Sequence, residues 1–221
     1  MKAIIILALV TISLSTDIIL VGDSRTYLMA CFLFGFPQNQ GYIATSTPVI
    51  DEFNNRVQIV AKPGARVYDF ISDQQSGIDL NNLLRKADPR SYVFLWLGIN
   101  NIGNSLSPNG IRDTFNKYFE LAQYRLDVNF IIFSIPGVDE TRTKGIHDAT
   151  NVNVDRFNAY MNEKVNQIYL PNLKFVNLMK NPLTTIDGID ILPYLYDGLH
   201  LDSIGCHYFY NKMVESMQKM Q

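Results

Sequence analysis

Short apolar runs alternate with amphipathic segments along most of the chain. The apolar runs are typical of strands buried on both faces, and they lie at positions 18–21, 57–61, 92–97, 128–135 and 173–178. Helical spacing of apolar residues predicts helices at 26–36, 78–86, 111–125, 154–165 and 203–220. Strands that alternate with helices predict an α/β fold, in which a parallel sheet carries helices on both faces.

The first fifteen residues have a different pattern. Met1-Lys2 precedes the apolar stretch 3–14, and small residues stand at Ser13 and Ser15. This pattern predicts a secretory signal peptide over 1–15 and a single domain over 16–221. The apolar stretch is shorter than the roughly twenty residues of a membrane span, so we expect secretion without a stable membrane anchor. The alternative is that 4–10 forms a core strand.

Composition narrows the classes of partner. Apolar residues make up 47% of the 221 positions and charged residues 18%, which suits a globular enzyme with a large core. A formal net charge of −2 argues against nucleic acid as the main partner. With two cysteines and three histidines, the sequence indicates neither a metal nor a cofactor.

A serine stands where the first strand turns into the first helix. Gly22-Asp23-Ser24 follows the apolar run directly. The first turn of a helix offers unpaired N–H groups and the positive end of the helix dipole, which stabilise an oxyanion beside a serine hydroxyl. The alternative is that Ser24 only caps the helix.

A carboxylate and a histidine lie close together near the end of the chain. In Asp197-Gly198-Leu199-His200, the carboxylate can accept a hydrogen bond from the imidazole Nδ1–H. The Nε2 atom is then free to take a proton from a serine, as acyl transfer requires. His147 is a weaker candidate base, because it lacks a nearby carboxylate that could orient its ring, other than Asp148.

Two further polar turns follow predicted strands. Gly64 comes after the strand at 57–61, and Asn100 comes after the strand at 92–97. Open α/β sheets bind ligands at the carboxyl ends of their strands. A backbone N–H at Gly64 and the side-chain amide of Asn100 are therefore candidate oxyanion donors, although each also suits an ordinary turn.

These four motifs, taken in order, resemble those of the SGNH hydrolases, also called GDSL-type esterases. The resemblance implies a flavodoxin-like three-layer αβα sandwich with a five-stranded parallel sheet in the order 2-1-3-4-5. It also implies roles for individual residues: Ser24 as nucleophile, His200 as base, Asp197 as the residue that orients His200, and the Ser24 N–H, Gly64 and Asn100 as the oxyanion hole.

The chain departs from the family pattern at two positions. Asn101 stands where the family usually has aspartate, which affects loop geometry more than chemistry. Arg25 follows the nucleophile where many members carry an apolar residue. Because a cation is unfavourable at a helix N-terminus, we expect Arg25 to pair with a carboxylate or to meet an anionic substrate.

The resulting hypothesis is a secreted serine esterase that uses a Ser-His-Asp triad on a small-molecule or glycan ester. Acetylated carbohydrate or cell-wall glycan suits the tyrosines at 42, 194 and 196. The alternatives are an acyltransferase on the same site and a non-catalytic glycan-binding protein. The segment 138–151 is predicted as an irregular loop that contacts the substrate. The segment 32–57 is predicted to be irregular, and it either shapes the substrate site or is a plain connection. Cys31 and Cys206 are predicted either to form a disulfide or to remain two buried thiols.

Overall fold

The computed structural model describes residues 15–72, 74–102, 108–144, 149–179 and 184–221. Nearly all of the predicted signal peptide, and His147, lie outside these residues. The helices are α1 (Ser24–Phe34), α2 (Gln75–Lys86), α3 (Pro108–Tyr124), α4 (Glu140–Thr143), α5 (Asn151–Gln167) and α6 (Ser203–Gln218). The strands are β1 (Asp17–Gly22), β2 (Ile43–Ala44), β3 (Val49–Ile50), β4 (Arg56–Ala61), β5 (Tyr92–Trp96), β6 (Asn129–Phe133), β7 (Leu173–Val176), β8 (Thr185–Ile186) and β9 (Ile189–Asp190).

Five parallel strands form the centre of the main sheet, in the order β4-β1-β5-β6-β7. This is the order 2-1-3-4-5 of the predicted strands, so the predicted α/β topology is confirmed. β1 lies in the middle and pairs with β4 on one side and β5 on the other.

The number of strands beside β4 differs from the prediction. β2 and β3 pair antiparallel with β4, so the main sheet has seven strands within the described residues rather than five. Both strands lie in the segment 32–57, which was predicted to be irregular. A separate antiparallel hairpin, β8-β9, precedes the turn that carries His200.

Alternate residues of the central strands pack into two separate cores. In β1, Ile19 and Val21 face the core covered by α2, α3 and α5, while Ile18 and Leu20 face the core covered by α1 and α6. Continuous apolar runs are therefore required, because both faces of these strands are buried. The result is a three-layer αβα sandwich.

The first and last helices lie on the same face of the sheet, as the topology implies. Trp96 of β5 stacks on Phe209 of α6 with ring centroids 4.4 Å apart. Cys31 and Cys206 lie in the same core, but their thiols are free and buried. Of the two alternatives for these cysteines, the structure therefore shows two buried thiols and no disulfide, and the Cys206 thiol donates to the Leu201 carbonyl at 3.6 Å.

The described residues contain neither a membrane-spanning helix nor a cluster of metal-ligating side chains. None of the helices there has the length and apolar character needed to cross a membrane. The same residues contain no cluster of three or more His, Cys, Asp or Glu side chains suited to a metal ion.

Candidate active site

Three neighbouring strands end level with one another. Gly22 of β1 pairs with Ala61 of β4 and with Trp96 of β5. The loops after these strands carry Ser24, Gly64 and Asn100 within four residues, so the structure places all three at the same edge of the sheet.

A glycine is required where β1 turns into α1. A Cβ atom on Gly22 would lie 1.6 Å from the Thr26 hydroxyl oxygen and 2.8 Å from the Trp96 carbonyl. A side chain at this position would therefore push the start of α1 away from the sheet. The glycine allows Ser24 to stand directly above the strand end.

Asp23, not Ser24, caps α1. Its carboxylate accepts a hydrogen bond from the Arg25 backbone N–H at 3.0 Å. The alternative interpretation of Ser24 as the cap is therefore wrong, and the Ser24 hydroxyl remains available for other contacts. Burial raises the pKa of Asp23 to about 6, against the opposing effects of the Arg25 charge and the backbone hydrogen bonds.

A continuous chain of hydrogen bonds joins Ser24, His200 and Asp197. The Ser24 Oγ lies 2.8 Å from His200 Nε2, and His200 Nδ1 lies 2.6 Å from Asp197 Oδ2. Asp197 Oδ1 accepts the backbone N–H groups of Leu199 and His200 at 2.9 and 2.7 Å.

The Asp197 carboxylate is held in its ionised form. Burial raises the pKa of Asp197, but the hydrogen bonds from the His200 side chain and from the two backbone N–H groups outweigh it, so that the net pKa is lowered. An ionised carboxylate fixes the imidazole orientation and leaves Nε2 facing the serine.

Donors from other elements hold the turn between Tyr196 and His200. The Gly198 carbonyl accepts the Asp139 N–H at 2.8 Å, and the Tyr196 carbonyl accepts Arg142 Nη1 at 3.4 Å. Gly198 has a φ of +86°, and a Cβ there would lie 2.8 Å from the Cβ of Arg142. The segment 138–151, predicted as an irregular loop, therefore contains α4, whose start packs against this turn.

The predicted oxyanion donors lie on two loops that contact each other. Asn100 Nδ2 donates to the Ala65 carbonyl at 3.0 Å, and Asn101 Oδ1 accepts the Val67 N–H at 3.3 Å. Gly64 has a φ of +72°, which favours glycine. Within the described part of the chain, the N–H groups of Ser24 and Gly64 have no hydrogen-bond partner.

Of the two partners expected for Arg25, the carboxylate is absent among the described residues, and contact with an anionic substrate stays a prediction. The Arg25 side chain is 2% exposed and forms no ion pair with a described carboxylate. Instead, Nε donates to the Leu199 carbonyl at 3.1 Å and Nη1 donates to the Pro136 carbonyl at 3.5 Å.

The three tyrosines proposed to line the substrate site have different environments. The Tyr196 ring lies beside the His200 ring, with centroids 5.9 Å apart and an angle of 23° between the planes, and the residue is 55% exposed. Tyr42 donates to the Asp79 carboxylate of α2 at 2.6 Å. Tyr194 packs against Gly205 of α6. Tyr196 is thus the one of the three that contacts His200.

Sequence reasoning did not identify Asp139 and Arg142 as contacts of the site. Asp139 caps α4, and the Arg142 side chain forms an ion pair with the Asp139 carboxylate at 2.7 Å. The Asp-x-x-Arg spacing was the available signal for this helix start, but it does not show what the helix contacts.

Comparisons with known proteins identify the fold. No protein-family sequence model matches the chain, and no curated protein sequence does. Among solved structures, a GDSL-like lipase from Bacteroides thetaiotaomicron is 15% identical, with a TM-score of 0.61 over 93% of this chain and 89% of that one. A carbohydrate esterase of family 3 from Talaromyces cellulolyticus is 13% identical, with a TM-score of 0.60 over 93% and 97%.

A third structure, an acetylxylan esterase from Geobacillus stearothermophilus, is 14% identical, with a TM-score of 0.54 over 90% and 93% of the two chains. At these levels of identity, the similarity shows the fold. The resemblance first drawn from four short motifs therefore holds at the level of the backbone, and the chain has the fold of the SGNH hydrolases.

Proposed function

We propose that this protein is a serine esterase that hydrolyses acyl esters. The observation that carries the proposal is the unbroken chain of hydrogen bonds from Ser24 Oγ through the His200 ring to the Asp197 carboxylate. A nucleophile, a base and a group that orients the base are the three parts that acyl transfer needs.

The proposed reaction has two halves. Ser24 Oγ attacks the ester carbonyl carbon while its proton moves to His200 Nε2. The tetrahedral intermediate expels the alcohol, which takes that proton, and an acyl-serine remains. Water then attacks the acyl-serine with His200 as base, and the acid leaves as Ser24 regains its proton.

The oxyanion of each intermediate would be stabilised by the N–H groups of Ser24 and Gly64 and by the Asn100 amide. One such donor is typically worth about 10²–10³-fold in kcat. The contact between Asn100 and the Ala65 carbonyl supports this role, because it fixes the amide beside the Gly64 loop.

The proposed substrate is an acetylated carbohydrate or cell-wall glycan. The Tyr196 ring, which is exposed beside His200, offers an apolar face against which a sugar ring can stack. Two of the similar structures are carbohydrate-active: the carbohydrate esterase of family 3 and the acetylxylan esterase. We further propose that residues 1–15 are removed during secretion, which N-terminal sequencing of the protein from culture medium tests.

The experiment compares the purified protein with Ser24→Ala on acyl esters of increasing chain length and on acetylated xylan. Ser216→Ala, which changes a hydroxyl that bonds within α6, is the control. We expect turnover by the wild type and the control and none by Ser24→Ala. Equal activity, or equal inactivity, of all three proteins on every ester would contradict the proposal. Product analysis with an added alcohol distinguishes hydrolysis from acyl transfer.

A further inference from the structure

A buried cation lies directly beside the proposed nucleophile. Arg25 is the second residue of α1, and its side chain is almost fully buried. Nε and Nη1 donate to backbone carbonyls, while Nη2 is buried and has no hydrogen-bond partner among the described residues.

This placement is energetically unfavourable. Burial lowers the pKa of Arg25 to about 10, although the negative charges of Asp23 and Asp197 oppose that change. A buried charge without a paired carboxylate costs free energy, and so does a cation in the first turn of a helix. A residue that destabilises the fold in this way is expected to serve the site.

The contacts of Arg25 join the two segments that carry the proposed nucleophile and base. Arg25 follows Ser24 on α1, and Leu199, whose carbonyl it contacts, precedes His200. The same two segments meet through the bond between Ser24 Oγ and His200 Nε2. The hydrogen bond from Arg25 to Leu199 is therefore a second link between the two segments. Its partners are the sequence neighbours of Ser24 and His200. The Pro136 carbonyl holds the guanidinium from a third segment.

We propose that Arg25 is a positioning residue: its hydrogen bond to the Leu199 carbonyl holds the Asp197–His200 turn against α1, so that His200 Nε2 stays within reach of the Ser24 hydroxyl. This inference rests on the proposed esterase function. Arg25 itself is buried and does not contact substrate in this role. A small displacement of catalytic groups can cost about 10²-fold in rate, which sets the expected size of the effect.

The test uses Arg25→Met and Arg25→Lys in the full chain. Methionine fills the volume without any donor, whereas lysine keeps the charge but has a methylene in place of Nε. Arg125→Met is the control, since Arg125 also donates to backbone carbonyls, those of Leu84 and Ala87, but near the amino-terminal end of β6, and it additionally pairs with Asp127. Each protein is measured for kcat, KM, thermal unfolding and the rate at which a fluorophosphonate labels Ser24.

We expect Arg25→Met to lower kcat and the labelling rate by about 10²-fold with KM nearly unchanged. Arg25→Lys should lie between that variant and the wild type. Arg125→Met should lose thermal stability but keep the kcat and labelling rate of the wild type. If Arg25→Met does not fold, the same comparison is made with Arg25→Lys alone, where a loss of kcat at constant KM supports the proposal.

Two results would overturn the inference. One is a wild-type kcat and labelling rate in the Arg25 variants. The other is a loss of activity that follows the loss of thermal stability equally in the Arg25 and Arg125 variants. Failure of the esterase proposal looks different, because then the wild type itself turns over no ester and Ser24 is not labelled.

Discussion

Replacing Asp23 with asparagine tests the electrostatics at the start of α1. Asp23 caps the helix through Oδ1, and it is 1% exposed. Asparagine keeps an oxygen that can accept the Arg25 N–H and is an equally favoured cap. The substitution therefore removes the charge of the buried carboxylate while keeping its hydrogen bond.

The size of the effect follows from the pKa of Asp23, which is about 6 in the folded protein against an ordinary value of 3.8. Because the folded-state pKa is raised, the wild type is stabilised by protonation below about pH 4 and loses this contribution as the pH rises through 6. Each pKa unit corresponds to about 1.4 kcal/mol, so ionised Asp23 costs about 3 kcal/mol at pH 8. Asp23→Asn does not ionise and avoids that cost.

The assay is urea unfolding of the wild type and Asp23→Asn between pH 4 and pH 8. The free energies of unfolding should be similar at pH 4, and the variant should be more stable by up to about 3 kcal/mol at pH 8. Asp202→Asn is the control, because Asp202 caps α6 in the same way but is only partly buried. A difference between Asp23→Asn and wild type that does not grow with pH would refute this reasoning.

Three other predictions concern the site and the thiols. Ser24→Ala and His200→Ala should each abolish most ester turnover, and the double variant should lose little more, because the pair acts as a unit; additive losses in kcat would contradict this. Asn100→Ala should lower kcat by about 10²–10³-fold at nearly constant KM, whereas an effect mainly on KM would make Asn100 a substrate-binding residue. The denatured, unreduced protein should show two free thiols, from Cys31 and Cys206, in a thiol titration, and a count of zero would show a disulfide.

The sequence predicted the central strands because their burial leaves a clear pattern. Each parallel strand is apolar on both faces, so a short continuous apolar run such as 18–21 indicates a buried strand. β2 and β3 have two residues each and leave no such pattern. The hairpin β8-β9 was missed although its signal was present: Asp187 and Gly188, both with positive φ, join Ile186 to Ile189.

The side chains of the candidate site were predictable from the sequence, but the backbone contacts that hold them were not. Ser24, Asp197 and His200 carry distinctive side chains, and the structure brings them together as the motifs suggest. The partners of Arg25 were not predictable, because they are backbone carbonyls and every residue has one. No spacing in a sequence shows which carbonyl a buried side chain will reach.

The candidate site joins residues from the two ends of the described chain. Ser24 and His200 are 176 positions apart, and α6 follows the histidine. Ribosomal synthesis proceeds from the N-terminus, so the nucleophile and the loops carrying Gly64 and Asn100 emerge long before the base does. A polypeptide whose translation stops before residue 200 contains Ser24 without His200 and has no means of activating it. The proposed hydrolysis therefore needs a chain that extends past residue 200, and we expect shorter chains to be inert toward esters.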